Sequence, residues 1–225
     1  MRKLKKAGAP KTERALHTSA SVEAYELIKQ RLITLEYPPG RYLNEAQVCK
    51  DLGIGRTPVH HAVTRLALEG MLEIMPRKGI VVRPLSMEDA LAVSEARIIN
   101  EPACARLVAE RITKKELADI QAIVRPAAAM SRSRDVPGLM NMDRMFHRAL
   151  ARACRNPVLE QILLRLHERS LRFWFVSLSD PEHLDRVASE HAAVIAALQS
   201  HDADKAETMM RLHIQSSQDH IRKSF

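Results

Sequence analysis

Cysteine is scarce in this chain. Cys49, Cys104 and Cys154 are the three among 225 residues, odd in number and far apart in sequence. That usage gives no disulfide framework and fits a reducing cytoplasm. Long hydrophobic runs are missing too, since nothing approaches the ~20 apolar residues that a membrane span needs. Met1 to Ala20 is basic but leads into no apolar stretch, so it does not read as a secretory signal. Glycine is sparse and unevenly spread: five of seven fall between residues 40 and 79, and Gly138 is the only one after residue 85. These absences exclude the membrane and secreted classes. The 46% hydrophobic content excludes the disordered class and suffices for a packed core. A small turn-rich domain followed by a long helical one is the expected organisation.

The charge divides along the same line. The formal net charge is +8. Residues 1–85 hold 15 Lys/Arg against 8 Asp/Glu, whereas residues 86–225 hold 20 against 19. A basic excess confined to one segment is the footprint of a polyanion-binding module. A basic tail on an otherwise neutral protein produces the same totals, because Arg2, Lys3, Lys5, Lys6, Lys11 and Arg14 supply much of the excess.

Residues 1–20 show no periodicity and are read as a flexible basic arm. From Ser21, the apolar set Val22, Tyr25, Ile28, Leu32 and Leu35 recurs at helical spacing up to Pro38-Pro39-Gly40. Asn44 can cap a short helix that ends at Gly53. A third helix opens at Thr57-Pro58 and ends at Gly70. Leu72–Met75 and Ile80–Arg83 read as two strands of a hairpin whose tip is basic, and Pro84 closes the unit. After it the chain reads as helices throughout. Capping signals stand at Ser86 and Thr113, breaks at Pro126, Pro137-Gly138 and Asn156-Pro157, and starts at Asp180-Pro181 and Asp202. The predicted fold class is therefore mainly α: a winged helix-turn-helix over 21–84, then an all-helical bundle over 86–222.

In such a winged unit the third helix can lie in the major groove with its first residues nearest the base edges, while the wing reaches the backbone. Arg56 is the candidate for a bidentate guanine contact, with Thr57 for a phosphate or base. Lys78 and Arg77 at the wing suit phosphates. The ordered run Pro39-Gly40-Arg41-Tyr42-Leu43, Leu52-Gly53-Ile54-Gly55-Arg56-Thr57-Pro58-Val59, Ala62-Val63-Thr64-Arg65-Leu66 and Glu69-Gly70 resembles the DNA-binding domain of GntR-type bacterial regulators. Two departures stand out: Gly55 replaces the usual Ser or Thr, and His60-His61 the usual Arg-Glu. The resemblance implies a double-stranded operator as partner. His60 takes the place of an arginine that commonly touches DNA, and Arg65 and Gly79 complete the candidate DNA-facing set.

In the helical part, Asp143 and His147 are four apart and share a helix face. His191 and His213 are equidistant from the Ser200-His201-Asp202 turn, so in an antiparallel hairpin they can meet. If the Asp143 helix packs there, one carboxylate and three imidazoles converge, a set suited to a borderline divalent metal. Seven histidines after residue 85 also make a chance pairing easy. His167, His183, His201 and His220 have no such geometry and are expected at the surface or as caps. Asp143-Arg144-Met145-Phe146-His147, followed by Leu150, Ala153 and Asn156, resembles the FCD-type effector domain of the FadR-like branch. That resemblance implies metal binding by Asp143, His147, His191 and His213, with zinc first among zinc, nickel, manganese and cobalt. Arg97 has Glu101 one turn later. The pair reads either as a surface salt bridge or, as in family members that bind organic acids, as a clamp for a small carboxylate effector. Trp174 is expected in the core or at an interface.

The reading that follows is a cytoplasmic, homodimeric, ligand-responsive transcription regulator, of repressor type, and not an enzyme. Its alternatives are a DNA-binding regulator whose metal is purely structural and a metalloenzyme with a basic accessory domain.

Overall fold

The computed structural model describes residues 11–77, 79–177 and 181–224. The chain divides into two compact units at Pro84/Leu85. In the first unit, α1 (Lys11–Ile33) packs against α3 (Arg56–Leu68), with α2 (Glu45–Leu52) beside α3. A three-stranded antiparallel sheet completes it, with β3 (Gly79–Val82) between β1 (Tyr42–Leu43) and β2 (Leu72–Met75). In register, Leu43 faces Ile80, and Leu72 faces Val82.

Local chemistry explains these elements. Asn44 Oδ1 accepts from the Ala46 N–H at 2.8 Å, satisfying a free donor at the start of α2, and Gly53 ends that helix at φ 68°. Pro58 sits in the first turn of α3, where its missing N–H costs nothing. Val59, Ala62, Val63 and Leu66 then form the buried stripe of α3 against Tyr25, Ile28 and Leu32 of α1. Gly79 is required at the wing: its φ is 98°, and a Cβ there would lie 3.3 Å from the Leu43 carbonyl.

Three expectations need correction. The arm was expected to run to residue 20, but α1 begins at Lys11. Residues 11–20 include Lys, Glu, Arg, Leu and Ala, good helix formers that need no apolar stripe. Val22 is exposed rather than part of the α1 stripe, and Leu35 lies beyond the helix at φ 57°. The strand β1 carried no signal, because two residues are too short to show alternation. Residues 1–10 of the expected arm lie outside the described residues.

The second unit is a bundle of α4 (Met87–Arg111), α5 (Lys114–Val124), α6 (Ala127–Ser133), α7 (Val136–Ala153), α8 (Pro157–Ser177), α9 (Pro181–Gln199) and α10 (Ala203–Ser224). Ser86 caps α4, and Thr113 with Glu116 forms a capping box on α5. Pro137-Gly138 is not a break but lies in the first turn of α7, where Asp135 caps the Gly138 N–H at 3.0 Å. α4 and α10 pack along their lengths, and α7 lies against α8 and α5. The core is built around Phe146, Leu150, Leu198, Met210 and Ile214, with Val108 and Ile120 from α4 and α5.

Candidate metal centre and nucleic-acid interface

The buried stripe of α7 is interrupted by two polar residues, Asp143 and His147. Both point into the bundle, where α9 supplies His191 and α10 supplies His213. One ligand atom from each of these four buried residues lies within 4.8 Å of all the others. Nε2 of His147 is 3.2 Å from Nε2 of His213, and Asp143 Oδ1 is 3.3 Å from Nε2 of His191 and 3.7 Å from Nε2 of His147. Ligands 2.0–2.1 Å from a tetrahedral ion stand about 3.3 Å from one another. Two of these three edges lie within 0.1 Å of that spacing and the third is longer, at 3.7 Å.

Outer partners fix which nitrogens face inward. Glu101 Oε2 lies 2.7 Å from Nδ1 of His147, and Glu190 Oε2 lies 2.9 Å from Nδ1 of His213. A carboxylate at Nδ1 accepts a hydrogen bond from the ring N–H, and in a neutral ring this leaves Nε2 with a lone pair. With both rings neutral in that tautomer, the two Nε2 atoms turn lone pairs toward each other at 3.2 Å. His191 is completely buried with neither ring nitrogen in a hydrogen bond of good geometry. Each of these features is costly in a buried site unless a cation occupies the common point. The donor set of imidazoles and one carboxylate therefore fits a divalent ion of the zinc, nickel, manganese or cobalt type.

The electrostatics agree with ligands held ready. Burial on its own would raise the Asp143 carboxyl, but His147, His191 and His167 outweigh it and hold it well below the usual carboxylate range. Burial brings His191 down to about 4 despite the pull of Asp143, so its ring is neutral at pH 7. For Glu101 the burial penalty is again overcome, by Arg97 and then His147. Glu190 is pulled down against burial by His213 and Ser216.

Arg97 is buried, so its pairing with Glu101 is not the surface salt bridge of the first alternative. Its Nη1 donates to Ser170 Oγ at 3.0 Å. Arg97 also lines a cavity together with Asp143, Ser170, Trp174, His213 and Ser217. Trp174 is buried, as expected of a core residue.

Sequence reasoning missed three participants. His167, expected at the surface, is buried on α8, stacked 4.4 Å from the His147 ring, with Nε2 3.4 Å from Asp143 Oδ2. Burial, with His147 beside it, drives its pKa well below the ordinary value. His220 is buried as well. His201 is exposed at the α9–α10 turn, where its Nδ1 lies 2.8 Å from the Ala109 carbonyl. The side chain of His183 lies outside the described residues. Glu101 and Glu190 were the other omissions as outer partners. The i,i+4 rule had Glu101 facing Arg97, but nothing in the spacing pointed to the imidazoles on other helices.

In the first unit, Arg56, Thr57 and His60 are exposed at the start of α3. His60 Nδ1 lies 2.9 Å from Glu45 Oε1, which leaves Nε2 outward. Arg65 is placed differently. Its guanidinium covers the Tyr25 ring at 3.7 Å and its Nε is 3.0 Å from Glu69, so it ties α3 to α1. Arg77 is exposed at the wing turn in a left-handed conformation next to exposed Gly79. Lys78 lies outside the described residues.

Comparisons with known proteins agree with both halves. Residues 20–82 match the model for bacterial regulatory proteins of the gntR family, and residues 92–216 match the FCD domain. An uncharacterized HTH-type transcriptional regulator of Agrobacterium vitis is 37% identical over 136 residues, covering 58% of this chain and 78% of the relative. The galactonate operon transcriptional repressor of Escherichia coli is 26% identical over 212 residues, 84% of this chain and 90% of that protein. Among solved structures, E. coli McbR/YncC superposes with a TM-score of 0.82 at 19% identity, over 91% of this chain and 97% of the other. No described helix is long and apolar enough to cross a membrane. The winged unit, the FCD bundle and these relatives together make this chain a member of the GntR family with an FCD domain, a DNA-binding transcriptional regulator and not an enzyme.

Proposed function

We propose that the protein is a metal-containing, acid-responsive repressor. One divalent ion, zinc first, is bound by Asp143 Oδ1 and by Nε2 of His147, His191 and His213. Its open coordination positions, together with Arg97, receive a small carboxylate in the cavity that Asp143 and His213 also line. The observation that carries this reading is the approach of His147 Nε2 and His213 Nε2 to 3.2 Å, each ring with a carboxylate at its Nδ1. A cation at that point would be held by both nitrogens at once. The protein acts as a homodimer on a pseudo-palindromic operator, each α3 presenting Arg56, Thr57 and His60 to base edges. Arg77, Lys78 and Gly79 of the wing approach the backbone. Acid binding acts by favouring one of two dimer states that differ in fit to the operator.

The test is metal content of the purified protein beside His191→Ala and His213→Ala, followed by thermal stabilisation with small carboxylic acids. The expected result is about one ion per chain in wild type, lost in both variants. Wild type that takes up no zinc, nickel or manganese overturns the metal reading. Metal without acid stabilisation leaves a structural ion and overturns the effector.

A further inference from the structure

One contact in the first unit fixes a proton. His60 follows Arg56 by four residues on α3, so the two share a face, and both are exposed. Nδ1 of His60 lies 2.9 Å from Oε1 of Glu45, the first residue of α2. Asn44 caps that helix, and an acidic side chain in its first turn is favoured by the helix dipole. Buried Val48 anchors α2, and buried Val59 and Val63 anchor α3 on either side of His60. Both ends of the pair therefore stand on packed helices rather than on loops. The side chains are 60% exposed at His60 and 30% at Glu45, so the imidazole is the more open partner.

An ionised carboxylate only accepts hydrogen bonds, so the contact requires the proton on Nδ1. In the neutral ring Nε2 then carries a lone pair and no hydrogen. It accepts and does not donate. Phosphate oxygens, guanine N7 and O6, and thymine O4 are acceptors too and offer it nothing. The groups in the major groove that donate are the amino groups, N4 of cytosine and N6 of adenine.

We infer that His60 is an operator-specificity residue that reads a base amino group, with Glu45 as the residue that positions it; this rests on the placement of α3 proposed above. The helix then presents two opposite readers one turn apart. Arg56 offers donors only and matches guanine, whereas His60 offers an acceptor only and matches cytosine or adenine. An arginine at position 60 would also ask for guanine, so the histidine alters which sequence is bound and not only how tightly.

The test selects operators from random duplexes with full-length protein at about pH 8.5, above the range in which histidines ordinarily change charge. The base pair at which His60→Ala loses preference is then rebuilt, one strand at a time, with 2-aminopurine for adenine or pyrimidin-2-one for cytosine. Each analogue removes the major-groove amino group. Wild type should lose roughly 5- to 100-fold in affinity on one strand, and the analogue that acts tells adenine from cytosine. His60→Ala and His60→Arg should be indifferent to the deletion. Glu45→Ala should respond less than wild type while remaining folded, which a merely structural role for Glu45 would not produce. His60→Ala with unchanged preference, or an equal response to the analogues in wild type and His60→Ala, overturns the inference. So does a His60→Ala variant that weakens all sequences alike and flattens the salt dependence, the mark of a phosphate contact. Arg56→Ala separates this failure from that of the groove reading. If it too leaves sequence preference untouched, α3 does not read bases; if it alters preference, only the role of His60 falls.

Discussion

Removing Glu190 tests the metal reading without touching any of the four direct ligands. Its Oε2 holds Nδ1 of His213 at 2.9 Å, and its side chain is 18% exposed. Glu101 plays the same part behind His147 but also pairs with buried Arg97. Deleting Glu101 would strand a guanidinium at a cost of roughly 3–5 kcal/mol, so a folding defect would mask any effect on metal. Glu190 carries no such burden. A carboxylate behind a ligating imidazole is typically worth about 10–100-fold in metal affinity, or roughly 1.4–2.8 kcal/mol. Glu190→Ala should lose that range. Glu190→Gln, which still accepts the Nδ1 proton but lacks the charge, should lie nearer the tenfold end. The assay is competition with a chromophoric zinc chelator at fixed pH and salt, with His213→Ala as the limit of full ligand loss. Thermal unfolding of the metal-free variants separates affinity from folding. If Glu190→Ala binds zinc as tightly as wild type while His213→Ala does not, Glu190 does not orient His213 and the reasoning fails.

Other outcomes are as specific. Folded His191 sits near 4 and unfolded histidine near 6.5, so between these values the unfolded chain binds more protons. Stability of the metal-free protein should therefore be complete above pH 6.5 and fall by roughly 3 kcal/mol as the pH drops to 4. His167 adds in the same direction, and urea unfolding across that range that stays flat contradicts a neutral buried cluster. Phe146, fully buried with its ring 4.1 Å from that of His191, should cost roughly 3–5 kcal/mol when replaced by alanine, read by denaturant midpoint. On an operator selected from random duplexes, Arg56→Ala should lose about 1–3 kcal/mol and relax preference at one base pair, whereas Arg77→Ala should weaken all sequences alike and reduce the salt slope by about one. Equal loss of sequence preference in both variants would contradict the assignment of α3 to bases and the wing to phosphates.

What could be read before the structure was local. Asp143 and His147 share a face because a helix repeats every 3.6 residues, and His191 meets His213 because the hairpin turn lies midway between them. Asn44, Gly53, Ser86 and Thr113 announced their caps by residue type alone. The omissions share one cause. His167 reaches the cluster from α8, Glu101 from α4, and neither distance depends on a spacing within one helix. They follow from how helices pack, which one chain does not spell out. Pro137-Gly138 misled because the pair is equally at home in a loop and in a capped first turn.

The α9–α10 hairpin constrains how this protein can vary. His191 and His213 each stand eleven residues from Asp202, and His201 pins their turn to the Ala109 carbonyl on α4. One residue inserted within α10 ahead of His213 rotates its imidazole by about 100° relative to the first turn of that helix, swinging it out of the cluster without altering a single ligand. Length changes compatible with the metal centre should therefore be absent from residues 203–212, a constraint that insertion scanning can check directly.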